Sequence, residues 1–208
     1  MCIRDSSTTM YADMDSLDDG ISYARDEVLS VVSEMPGCMG LSMLVDRDDG
    51  RCIVTTAWTD EKAMRSSAEG VKAMRDRAAE IFGGAAQVQE WEIAVLHRLY
   101  ETRPGACARL IWSRSDPDLV DRTVDAYRMS LVPRLEEFPG FCSVSLMVSH
   151  AEGRAVSTTT YESREAMEQT QDMSASMRDD FAMSMGVAIT EVAEMELVLA
   201  HLRVPETV

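Results

Sequence analysis

The chain has 208 residues, 36 of them Asp or Glu and 20 Lys or Arg, for a formal net charge of −16 and a pI near 4.5. That surplus of carboxylates repels phosphate backbones and anionic lipid, so neither nucleic acid nor a membrane surface is an expected partner. No apolar run approaches the roughly 20 residues that span a bilayer, and no charged-then-apolar leader opens the chain. A cytoplasmic protein of one or two domains is the expectation.

In chain order, residues 1–6, MCIRDS, read as the translation of a sequencing adaptor rather than as natural protein. On that reading the natural start lies upstream, and Cys2 and Arg4 carry no function. A β-branched run, STTMYA, follows at 7–12. Leu17, Ile21, Ala24, Val28, Val32 and Met35 then recur at spacings of four and three, one apolar helix face. Pro36-Gly37 breaks the chain. Strands are predicted over Cys38–Val45 and Arg51–Trp58, reversed at Asp48-Asp49-Gly50 into an antiparallel hairpin. Asp60 is placed to cap a second helix that Gly83 stops, and Val88–Leu96 is the last strand of this half.

After a polar linker at 98–105 the same text returns. Residues 139–167, PGFCSVSLMVSHAEGRAVSTTTYESREAM, align without a gap on residues 36–64, PGCMGLSMLVDRDDGRCIVTTAWTDEKAM. They share the Pro-Gly pair, Gly50-Arg51 with Gly153-Arg154, Thr55-Thr56 with Thr158-Thr159, and Ala63-Met64 with Ala166-Met167. Upstream, Val120, Val124, Tyr127, Leu131, Leu135 and Phe138 repeat the first helix face, capped by Asp116-Pro117. Pro133 is expected to kink that helix. Downstream, Ser163 caps the second helix, Gly186 stops it, and Ile189–Leu199 is the last strand. The domain expectation is a leader at 1–6, one repeat at 7–97, a linker at 98–105, a second repeat at 106–203 and a tail at 204–208.

Each half reads strand, helix, strand, strand, helix, strand, the ferredoxin-like split unit. The fold class is therefore α+β. Strands such as GLSMLV and SVSLMV are apolar or small on both faces, so both faces need cover. Helices supply one side. The expected cover on the other is the sheet of the second repeat, giving an α+β barrel within one chain.

Pro-Gly, an apolar strand, a turn, Thr-Thr-x-Trp/Tyr and a capped helix carrying Ala-Met together resemble the antibiotic biosynthesis monooxygenase superfamily, across almost the whole of each half. The resemblance implies a dimeric α+β barrel, here built from two copies on one chain. Its members include cofactor-free quinone-forming monooxygenases, haem-degrading enzymes and small-molecule binders, so it implies the fold more sharply than the reaction. The haem-degrading branch carries a Trp and an iron-ligating His on the second helix. At the matching positions this chain has Ser67 and Asp76 in one copy, and Thr170 and Asp179 in the other, which cannot supply an aromatic wall and an imidazole. A cofactor-independent monooxygenase-like protein acting on a small aromatic or polyketide-like molecule is one expectation. A non-catalytic ligand-binding or structural barrel is the second, and a subunit that docks on an enzyme partner through an exposed sheet edge is the third.

A cofactor-free oxygenase needs an apolar pocket and a few polar groups that hold an enolate or phenolate. The candidates are Trp112 on the first strand of the second copy, Tyr127 on the next helix, and Trp58 and Tyr161 at matched hairpin ends. Tyr127 stands where the first copy has Ala24, which points to the second half. Each of these aromatics also has a plain structural role as core. His97 and His201 end the last strands at matched places, a duplication that suggests strand-end hydrogen bonding, the interface between the halves, or proton transfer. The three histidines are too scattered for a metal, the five cysteines show no CxxC pair and read as buried thiols, and no cofactor is expected. A small-molecule ligand is the expected partner, and no protein partner can be named.

Overall fold

The computed structural model describes residues 3–207, apart from the side chain of Leu202. Cys2, the opening of the leader and the final residue of the tail lie outside the described residues. The first half contains β1 (Arg4–Tyr11), α1 (Leu17–Tyr23), which runs through a π-helical turn at Ala24–Val28 into α2 (Leu29–Ser33), then β2 (Cys38–Val45), β3 (Arg51–Trp58), α3 (Glu61–Phe82) and β4 (Gln87–Arg98). The second contains β5 (Cys107–Arg114), α4 (Val120–Ala126), a π-helical turn at Tyr127–Leu131, α5 (Val132–Glu136), β6 (Phe141–Ser149), β7 (Arg154–Tyr161), α6 (Arg164–Gln169), α7 (Gln171–Met185) and β8 (Ala188–Leu202). In the first unit the strands hydrogen-bond in the order β4-β1-β3-β2-β8 and in the second in the order β8-β5-β7-β6-β4, an α+β fold in which parts of β4 and β8 serve each unit.

The described residues pack as two compact units, one of residues 3–92 with Glu196–Val204, the other of Ile93–Met195 with residues 205–207. In the first, β3 lies between β1 and β2, with Ser42 opposite Thr55 and Thr8 opposite Val54. The end of β8 adds beside β2, where Val45 faces Glu196. In the second, β7 lies between β5 and β6, with Ile111 and Leu146 both opposite Ser157. Each hairpin carries a bulge near its start, between Cys38 and Gly40 and between Phe141 and Ser143.

Local chemistry explains the ends of the elements. The Asp60 carboxylate accepts from the amide of Ala63 at 2.8 Å and the Ser163 hydroxyl from that of Ala166 at 3.2 Å, which satisfies first-turn donors that have no helical partner. Gly83 and Gly186 close the following helices at φ of 76° and 67°, a left-handed conformation that costs glycine least. Asp116 caps with its side chain on the amide of Asp118 at 3.0 Å, whereas Asp13, its counterpart, makes no such bond.

Three elements differ from the sequence reading. β1 begins at Arg4 rather than at residue 7, because Arg4–Ser6 pair with β3 on one side and β4 on the other, Ile3 is buried, and Arg4 meets Glu92 at 3.0 Å. The first helix of each half is interrupted by a π turn. Pro133 follows that turn in the second unit, but its counterpart Ser30 follows an equivalent turn, so the proline is not its sole cause. The third difference is a break at Thr170, which divides α6 from α7 where α3 is continuous.

Each unit has its own core on the helical side of its sheet. In the first, Leu17, Ile21, Met43, Val45 and Phe82 pack together. In the second, Val124, Leu131, Val144, Leu146 and Met177 do so. Fully burying one such side chain contributes about 1.5–3 kcal/mol, so these faces, more than helix propensity, hold the helices on the sheets.

Candidate functional site

In the second unit a cavity of about 70 Å³ lies between the helical layer and one face of the sheet. Pleating decides which strand residues reach it. Ile111 and Ser113 alternate inward on β5, and Ser157, directly opposite Ile111, shares their face. The helices contribute Tyr127 from the π turn and Ser174, Met177, Arg178 and Phe181 from α7, whose spacing of three and four keeps them on one side.

Tyr127 is the best-placed polar group. Its ring is buried, Phe181 meets it edge-on at 6.1 Å, and its hydroxyl lies 2.6 Å from Ser157 Oγ. Burial pushes its phenol well above the usual tyrosine range, against a smaller opposing effect of the Ser157 hydrogen bond. The hydroxyl therefore stays protonated and can donate. Arg154 and Arg178 also reach the cavity, tied to Glu152 and Asp179 respectively. Of the residues that line it, only Tyr127, Arg154 and Arg178 carry ionisable side chains.

The first unit has a cavity in the same place, of about 40 Å³, and the comparison is informative. Met10, Val54 and Val71 line it where the second unit has Ser113, Ser157 and Ser174, and Ala24 stands where the second has Tyr127. Phe82 fills the remainder: its ring crosses Gly20 so closely that a Cβ there would fall 1.9 Å from Phe82 Cε1. The smaller cavity has Thr8, Tyr23, Thr56 and Arg75 among its lining residues but lacks the three serines and the Tyr127 phenol, and Phe82 plugs much of it. The larger has all four of those hydroxyls.

Of the residues singled out in the sequence, Tyr127 lines the cavity and Trp112 does not, since it alternates to the other face, opposite Val156. Trp58 is buried with Val32 and Met64, its indole N–H donating to Thr56 Oγ1 at 3.1 Å. Tyr161 is buried with Cys107, Ala166 and Met167, beneath the Arg109 guanidinium at 5.7 Å from its ring centre. Neither reaches the cavity. His97 stacks on Phe141 with Glu136 and Glu206 carboxylates 2.9 and 3.4 Å from its ring nitrogens, close enough for ion pairs although neither contact is aligned as a hydrogen bond. His201 sits in β8 opposite Leu41. The three serines escaped the sequence reading. Their signal was present in the repeat itself, as Met10, Val54 and Val71 exchanged for the same small hydroxyl residue.

No protein-family model matches the sequence. The chain is 48% identical to Rv2558 of Mycobacterium tuberculosis over 203 residues, 97% of this chain and 86% of that protein. It is 45% identical to Rv2557 of the same organism over 202 residues, 97% of this chain and 90% of the other. This chain belongs to the Rv2557/Rv2558 family. Both relatives are uncharacterised, so membership brings no reaction with it. Among solved structures, the chain matches a candidate monooxygenase of Lactobacillus acidophilus with a TM-score of 0.70 and 11% identity, over 98% of this chain and 97% of that one. An anthrone oxidase-like protein matches at 0.68 and 14%, over 94% and 90%. A Listeria monocytogenes ferredoxin-fold protein related to antibiotic biosynthesis monooxygenases matches at 0.57 and 8%, over 95% of each chain. This chain thus shares its fold with these proteins, a likeness of backbone at these identities.

Proposed function

We propose that this chain is a cofactor-independent monooxygenase-like protein, that its site is the cavity of the second unit, and that it takes a small aromatic or polyketide-like substrate. The observation that carries this reading is the set of hydroxyls of Ser113, Ser157, Ser174 and Tyr127 lining a cavity whose counterpart has Met10, Val54, Val71 and Ala24 at the same places. The two units are, on this reading, tandem ferredoxin-like copies of which one has kept or gained a site and the other has become core.

The chemistry that fits is oxygenation of a carbon acid by dioxygen. A substrate methylene beside an aryl ketone loses a proton, the carbanion adds dioxygen to give a hydroperoxide, and loss of water leaves a carbonyl. One oxygen atom enters the product and the other leaves in water. Hydroxyl donors that stay neutral, Tyr127 foremost, hold the developing enolate oxygen in a water-poor setting. The cavity offers no carboxylate, imidazole or amine among its lining residues to take the proton, so the substrate's own acidity must supply the anion.

The second reading, a structural or small-ligand-binding barrel without catalysis, is favoured by size. About 70 Å³ is half the roughly 150 Å³ that admits benzene in an engineered cavity, and far below the roughly 300–1,000 Å³ of drug-sized sites. A polycyclic substrate therefore requires the helical layer to yield. Oxygen uptake with anthrone separates the readings. Uptake above the protein-free rate that is lost in Y127F/S157A supports the oxygenase, and uptake at the protein-free rate leaves the non-catalytic barrel.

A further inference from the structure

α3 of the first unit runs unbroken for 22 residues, but the matching stretch of the second stops and restarts at Thr170. Back-bonding by a hydroxyl does not explain the difference. Ser67, the counterpart of Thr170, also bonds back to a carbonyl, that of Met64 at 2.8 Å, and its helix continues. What differs is a guanidinium. Arg109 on β5, only 3% exposed, stands where the first unit has Ser6. It donates from Nη2 to the carbonyl of Met167 at 2.9 Å and from Nη1 to Thr170 Oγ1 at 3.0 Å. The Thr170 hydroxyl donates to the same carbonyl at 2.7 Å. A side chain inserted into the backbone ladder in this way is a recognised cause of a helix kink. Glu194 on β8 meets Arg109 at 2.7 Å and the Tyr161 ring lies against it, so the buried charge is paired and packed.

The break leads directly to the cavity. Thr170 is fully buried, and its carbonyl accepts the amide of Ser174 at 2.8 Å one turn later. Ser174 is itself buried and lines the cavity, followed on the same face of α7 by Met177, Arg178 and Phe181. We propose that Arg109 is a positioning residue for this site: anchored by Glu194, it fixes the break at Thr170 and thereby sets where α7 presents the Ser174 hydroxyl to a ligand. The proposal rests on the second-unit cavity being the ligand site.

The test uses the full chain, with phenol and benzene as probes measured by calorimetry. R109M strands Glu194 and is expected to fold poorly, so T170V, which leaves the Arg109–Glu194 pair intact, carries the experiment. S174A is expected to cut the phenol-over-benzene affinity ratio about five-fold, the value of one hydrogen bond. T170V is expected to lower it to a similar extent, and the S174A/T170V double variant no further. A merely structural role for Thr170 would weaken both probes equally and leave the ratio alone, so an unchanged ratio in either T170V or S174A overturns the proposal. Should the wild-type protein bind neither probe, the ligand-site reading fails and amide hydrogen exchange decides the positioning. Residues 171–178 should then exchange faster in T170V than in wild type, with α3 as the internal reference, and unchanged exchange overturns it.

Discussion

Replacing Tyr127 with Phe removes one oxygen atom and leaves the ring, its edge contact with Phe181 and the helix in place. What remains is Ser157, 8% exposed, with its hydroxyl facing a ring edge where a partner stood at 2.6 Å. A net intramolecular hydrogen bond contributes about 0.5–1.5 kcal/mol, and a buried group left without a partner costs about 1–3 kcal/mol. Y127F should therefore destabilise by about 1–2 kcal/mol, which for a chain of this size lowers Tm by roughly 2–8 °C. S157A should cost about 1 kcal/mol by the same argument. The double variant is the sharper measurement, because the second substitution removes the group that the first had stranded. Urea titrations followed by fluorescence and circular dichroism should show the two losses falling short of additivity by about 1 kcal/mol, with m unchanged. Additivity within about 0.3 kcal/mol would refute the reasoning, since it would mean that the two hydroxyls do not depend on one another.

Gly20→Ala drives a methyl into the Phe82 ring and should cost about 1–3 kcal/mol, recovered in large part by adding Phe82→Leu, as thermal melts of the single and double variants would show. Asp5 is buried, Oδ1 has no hydrogen-bond partner, and burial pushes its carboxyl up to about 8. The folded chain then holds a proton that the unfolded chain releases, so stability present near pH 4 is lost as pH rises through 8; Asp5→Asn should flatten that slope in urea midpoints taken from pH 5 to 8.5. Burial, helped by the nearby Asp49 charge, pushes the Cys52 thiol to about 12. Iodoacetamide at pH 8 should spare Cys52 in the folded protein and label it in urea, read by peptide mass spectrometry.

Most of the backbone plan was legible because it rests on period. Leu17, Ile21 and Ala24, and Val120, Val124 and Tyr127, mark helix faces that no strand pattern imitates, and both second-helix caps sit on the residues the sequence offered for them. The ends were harder to read. β1 takes in Arg4–Ser6 because two neighbouring strands lend it partners, which local composition does not reveal. The lining of the candidate cavity was half legible. Tyr127 stood out against Ala24, but Trp112 drew attention by size, although it alternates with Ile111 and Ser113 and so belongs to the other face of β5. The break at Thr170 was not legible at all, because it depends on Arg109, a residue far away along the chain.

The way β8 is divided has a practical consequence. Its terminal portion, from Glu196 onward, completes the first unit by lying beside β2, although roughly a hundred residues of the second unit intervene along the chain. A fragment ending at the linker would lack that segment and leave β2 with a naked row of amides and carbonyls, the kind of margin that recruits strands from other molecules. Dissection of this protein at its apparent midpoint should give self-associating material, whereas a circular permutant that delivers the β8 terminus ahead of β1 should keep the first unit monodisperse.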